Sequence, residues 1–114
     1  MDIRAAFREQ ARACRELESS FMVRLCELFA ERLGAGNPVA EKLLSWPADS
    51  SALRQLIALR VAGALHAMVL RKQSAALVAA WPPNTVSDDV LWSTVRSACS
   101  TQATVLLPWL ERAP

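Results

Sequence analysis

The chain has 114 residues, 13 of them basic and 11 acidic, for a net charge of +2. A hydrophobic share of 53% against 21% charged excludes a disordered tail, and the length suits one domain with one real core. The near-balance of charge gives no reason to expect a nucleic-acid partner, because such proteins carry a concentrated basic excess.

Alanine and leucine supply 36 residues (20 and 16), isoleucine only 2, and tyrosine none. Alanine and leucine lose little freedom in a helix, whereas strands favour β-branched and aromatic residues. The expected class is all-α. The architecture expected is one compact domain over 1–114, with five to seven helices, orthogonal or bundle-like. Cys14, Cys26 and Cys99 form no C-x-x-C and leave an odd thiol, which argues against a disulfide framework and for a reducing cytosol. The opening Met1-Asp2-Ile3-Arg4 lacks the basic-then-apolar layout of a signal peptide. The longest apolar stretch, Leu56 to Leu70, is broken by Arg60 and His66 and is shorter than the ~20 residues a bilayer needs. No membrane span is expected.

Asp2 is the expected N-cap of a first helix to about Leu17, with Ile3, Phe7, Cys14, Leu17 and Phe21 on one apolar stripe. Glu18-Ser19-Ser20 interrupts the pattern. A second helix then carries Phe21, Met22, Leu25, Leu28, Phe29 and Leu33 inward and ends at Gly34 and Gly36. Asn37-Pro38 reads as an N-cap plus first-turn proline, opening a short helix that Trp46-Pro47 stops. The longest helix is expected from Ser51 to Lys72. Its middle is apolar nearly all round, so it should be the buried axis. A short helix from Ser74 to Ala80 and the loop Trp81-Pro82-Pro83-Asn84 follow. Ser87 caps the next helix, with Asp88 and Asp89 in its first turn, where the dipole favours acids. A last apolar segment from Thr101 to Leu107, separate or a kinked extension, meets Pro108.

Several residues are candidates for chemistry. His66 is the lone histidine: imidazole chemistry suits a general base, and the structural alternative is a core histidine bonded to a carbonyl or carboxylate. One histidine without a nucleophile motif supports no triad and no zinc site, so no catalytic residue, metal or cofactor is expected. Arg60 lies in the apolar middle of the central helix, where a charge must find a partner. An ion pair with Glu27, Glu31 or Glu41 is the structural explanation, and an anion contact is the functional one. Arg60 and His66 are about 240° apart around a helix, so they form no ready-made pair. Arg4, Arg8, Arg12 and Arg15 are spaced 4, 4 and 3, which places them in one sector of the first helix. Such a row is either solvated or meets an anionic partner. Trp46, Trp81, Trp92 and Trp109 lie near helix ends or loops, where partial exposure is expected, with Trp92 closing the core. The run Leu106-Leu107-Pro108-Trp109-Leu110 is apolar near the chain end, which marks Leu106, Trp109 and Leu110 as interface candidates. Cys14 is in phase with the apolar stripe and is expected to be buried and inert.

The opening Phe7-Arg8-Glu9-Gln10-Ala11-Arg12-Ala13-Cys14 resembles the F-R-x-Q-A-x-A-C start of an uncharacterised bacterial family, catalogued as a domain of unknown function. Leu59-Arg60-Val61-Ala62-Gly63-Ala64-Leu65-His66 is similar to its L-R-x-x-G-A-x-H helix, Leu77 to Trp81-Pro82 to its L-A-x-[YW]-P close, and Trp92 to a later tryptophan. The resemblance implies that this chain corresponds to the N-terminal part of much longer members. Those continue, after the equivalent of Arg112-Ala113-Pro114, into a polar Q-T-N-E-x-G-R stretch suited to a ligand. An activity that needs that stretch is expected to be absent here or to come from another chain. The resemblance also singles out Arg60, Gly63 and His66, with Gly63 as a place where another helix packs closely.

Two functional expectations result. The first is a non-catalytic interaction module that forms a homodimer or docks a missing second domain. The second is a ligand-binding or catalytic fragment with an anion pocket built from Arg60 and His66, joined by the arginine row.

Overall fold

The computed structural model describes residues 2–111; Arg112-Ala113-Pro114, after which the resemblance implies a polar stretch, lies outside the described residues. Asp2 Oδ1 accepts from the Ala5 amide at 2.8 Å and opens α1 (Ile3–Glu16), which buries Ile3, Ala6, Phe7, Ala11 and Cys14 on one face. The chain turns and returns as α2 (Ser20–Arg32), burying Leu25, Cys26, Leu28, Phe29 and Ala30. The two helices run antiparallel: Phe7, early in α1, stacks on Phe29, late in α2, with ring centroids 4.7 Å apart. Arg4 locks the same end by donating to the carbonyls of Ala30 (3.1 Å) and Leu33, which α2 leaves without helical partners.

The turn after α1 follows from its hydrogen bonds. Ser19 N–H reaches Cys14 O at 3.0 Å and Glu18 N–H reaches Arg15 O at 3.1 Å, with Glu18 left-handed at φ 59°. This is a Schellman ending with glutamate in the position glycine favours. It turns Leu17 outward at 79% exposure, so the apolar stripe does not continue through it as the spacing suggested.

Asn37 Oδ1 caps α3 (Pro38–Leu44) through Ala40 N–H at 2.8 Å. The helix expected over 51–72 is two helices, α4 (Ser51–Arg54) and α5 (Ile57–Leu70), and this break makes the described helices eight rather than five to seven. Leu56 sits in the left-handed region at φ 55°, where an α-helix cannot continue. The burial of Ala52 and Ile57 on either side compensates for that strain. α5 ends in a second Schellman turn: Gln73 N–H meets Met68 O at 2.9 Å, and Lys72 is left-handed at φ 54°.

Ser74 Oγ caps α6 (Ala75–Ala80), and Ser87 Oγ caps α7 (Asp88–Thr101). Two cations of α2 hold the start of α7: Arg24 binds Asp88 and the Val86 carbonyl, and Arg32 pairs with Asp89 at 2.8 Å. The last apolar segment is a separate helix, α8 (Ala103–Glu111), which runs through Pro108 instead of ending at it. That proline lacks an N–H, so the Thr104 carbonyl has no helical donor there.

All eight helices contribute to one contiguous cluster of buried side chains, and no strand is present among the described residues. The class is all-α. α5 is its axis, with Ile57, Leu65 and Met68 fully enclosed. Trp92 is buried and meets Phe29 edge-on at 5.0 Å. Trp81 is also buried, although a proline follows it; Phe21 packs on it edge-on at 4.5 Å. Trp46 and Trp109 are half-buried.

Candidate functional site

The axis helix is apolar nearly all round, but it is not covered all round. Successive residues advance about 100° around a helix, and this places Leu59, Gly63, Ala67 and Leu70 in one sector. That sector faces outward: Leu59 is 46% exposed and Leu70 is 70% exposed. Leu56, which precedes the helix, adds 52% exposure at its upper end. The opposite sector carries Ile57, Val61, Ala64, Leu65 and Met68 into the core. Exposed leucines thus stand at the two ends of this apolar strip, with half-buried Gly63 and Ala67 between them. Two exposed leucines on one helix sector, with a third exposed at the helix start, differ from the scattered exposed apolar residues of an ordinary surface.

Arg60 and His66 are separated by about 120° on the short way round, and the strip lies between them. They border it from opposite edges. His66 is exposed, and its Nδ1 accepts from Trp81 Nε1–H at 3.2 Å. This bond puts the neutral ring's proton on Nε2 and couples the histidine to the core through Trp81 and Phe21. The expected carbonyl or carboxylate partner is therefore an indole. Arg60 is half-buried and engaged. Of the three acids expected opposite it, Glu27 pairs with Arg15, Glu41 accepts from Gly36 N–H at 3.3 Å, and Glu31 is exposed.

The arginine row divides its tasks. Arg4 holds α2, Arg12 pairs with Glu9 and Arg15 pairs with Glu27. Arg8 is exposed and makes no ion pair among the described residues.

Leu106 and Leu110 are core residues of this chain, 4% and 3% exposed, and they line a small cavity with Val61, Ala64 and Leu65 of α5. Their burial removes them from the surface on which the apolar terminus suggested they lie. Trp109 remains half-buried beside the strip. Its Cζ3 stands 3.9 Å from the point a Gly63 Cβ would occupy. Gly63 thus meets an indole edge at ordinary contact distance, and no helix backbone presses on it. Leu56, Leu59 and Leu70 escaped the sequence reading, because a helix apolar on every side offers no periodicity to separate its inner from its outer face.

Among the described residues, no group of three metal-binding side chains occurs and no helix is long and apolar enough to cross a membrane. Cys14, Cys26 and Cys99 are buried free thiols. Burial pushes Cys26 and Cys99 up to about 12, with neighbouring Cys14 adding to the effect at Cys26.

Fold and surface thus define an all-helical protein with exposed leucines along one sector of its axis helix. Residues 4–114 match the model of the DUF2332 family, described as an uncharacterized protein conserved in bacteria, and the chain belongs to that family. No curated protein and no solved structure matches it.

Proposed function

We propose that this chain is a non-catalytic helical interaction module, and that its contact surface is the outer strip of α5 with Trp109 at the edge. The observation that carries the reading is the exposure of Leu59 and Leu70 along one sector of the axis helix, with Leu56 exposed just before it. Covering such a strip releases about 25 cal/mol for each Å² of apolar surface removed from water, which is the main driving force of protein association.

The occupant is a second copy of this chain. The strip has bulky leucines at its two ends and Gly63 and Ala67 between them. Turned antiparallel, Leu59 of one copy meets Leu70 of the other across the small residues, which is the reciprocity a two-fold contact requires. No acidic side chain interrupts the strip, so covering it buries no carboxylate. The three free buried thiols support a reducing, cytoplasmic setting.

The test compares wild type with Leu59→Glu and Leu70→Glu by sedimentation equilibrium. The expected result is a wild-type dimer and two monomeric variants with unchanged helical circular dichroism. Variants that associate as the wild type does would overturn the assignment of this face.

A further inference from the structure

Beside the α5 strip, a second feature lies on the other side of the molecule's loop system. A polar groove of about 320 Å³ runs between α7 and the segment that joins α2 to α3. From α7 it takes Ser93, Arg96, Ser97 and Ser100, and from the joining segment Gly36 and Asn37. The α7 residues recur at i, i+3, i+4 and i+7, the spacing of a single helix face. We propose that this groove is a binding site for a phosphate-class oxyanion, with Arg96 as its cation and the serine hydroxyls as neutral donors.

Three observations support this assignment. First, Arg96 is exposed and forms no ion pair among the described residues, whereas Arg12, Arg15, Arg24 and Arg32 are each paired with an acid. A guanidinium offers five N–H donors in a planar fork that suits phosphate oxygens. Second, the groove brings hydroxyls to that guanidinium, and its lining is mostly polar. Thr101, at its lower end, turns its own hydroxyl back to Ser97 O at 2.9 Å, which leaves Ser93, Ser97 and Ser100 to donate. Third, Gly36 lines the groove beside that guanidinium. Its φ of 136° disfavours residues with a side chain, and Arg96 Nη2 stands 3.9 Å from the place its Cβ would take, an ordinary contact distance.

One acid stands at the rim. Glu41 Oε1 accepts from Gly36 N–H at 3.3 Å and opposes the charge of Arg96. This gives the proposal a signature that a purely structural arginine lacks: neutralising Glu41 should tighten binding, while neutralising Arg96 should weaken it.

The experiment is an amide-resolved NMR titration of the full chain with inorganic phosphate and, separately, with glycerol phosphate, at constant ionic strength. Saturable shifts are expected at Gly36, Asn37 and the Ser93–Thr101 turn region of α7. Arg96→Gln should weaken them by about tenfold or more, the scale of one charge-assisted hydrogen bond lost. Glu41→Gln should strengthen them, and both variants should keep the wild-type circular dichroism. A stronger response to glycerol phosphate identifies phosphate esters as the ligand class, and a stronger response to inorganic phosphate identifies the free ion. Unsaturable shifts spread over the arginines of α1, or binding that Arg96→Gln leaves unweakened, would overturn the proposal.

Discussion

Gly63→Ala should make this protein more stable, although the family resemblance marks Gly63 as a point of tight helix packing. A glycine inside a helix costs about 1 kcal/mol relative to alanine, because it loses more backbone freedom on folding. The opposing term would be a clash, and the structure shows none. The nearest atom to the new Cβ is Trp109 Cζ3 at 3.9 Å, an ordinary van der Waals distance. The methyl also lands on the indole edge, and a buried methylene is worth about 0.8 kcal/mol, of which a half-buried position gains a part. The expected net gain is about 1 kcal/mol. For a chain of this size that corresponds to a rise in Tm of roughly 4–8 °C. Urea unfolding followed by circular dichroism, at one fixed protein concentration, should show a higher midpoint with an unchanged slope. A lower midpoint would refute the reasoning: it would mean that the space above Gly63 is already filled.

Glu18→Gly and Lys72→Gly should each stabilise by about 0.5–1 kcal/mol, because both replace a side chain held at positive φ in a Schellman turn; thermal melts of the single and double variants should show additive gains. Phe29→Ala should cost about 3–5 kcal/mol in denaturant unfolding, since it removes the stack on Phe7 and the edge contact to Trp92, and Trp92 emission should shift to the red. Cys26 and Cys99 should resist iodoacetamide at mildly alkaline pH until the chain is unfolded. Their thiols are raised by burial from 9.0 to about 12, so the unfolded chain gives up these protons first. Their contribution is therefore complete below pH 9 and is lost as pH rises towards 12, which a series of unfolding midpoints across that window would show.

Local chemistry made most of the helices legible. Asp2, Asn37, Ser74 and Ser87 each stand before a helical pattern, and each makes the capping bond that its side chain permits. The two α2 cations on Asp88 and Asp89 were not readable, because such pairs join residues distant in sequence. The break at Leu56 was hidden for another reason. Arg54-Gln55-Leu56-Ile57 contains neither glycine nor proline, and the left-handed turn is imposed by the burial of its neighbours. Trp81 shows the converse: the proline after it suggested an exposed loop, and the contacts to Phe21 and His66 drew the ring inward. The candidate surface was half legible. Trp109 stands at it, but Leu106 and Leu110 turn into the core beneath it, and composition alone does not tell the two sides of α8 apart.

The outer face of α5 is proposed as a self-association surface, and light scattering on a size-exclusion column, at low and at high salt, is its sharpest test. A dimer is expected at both, because an apolar contact does not weaken with salt as an ionic one does. A monomer at both salts and at high protein concentration would contradict it.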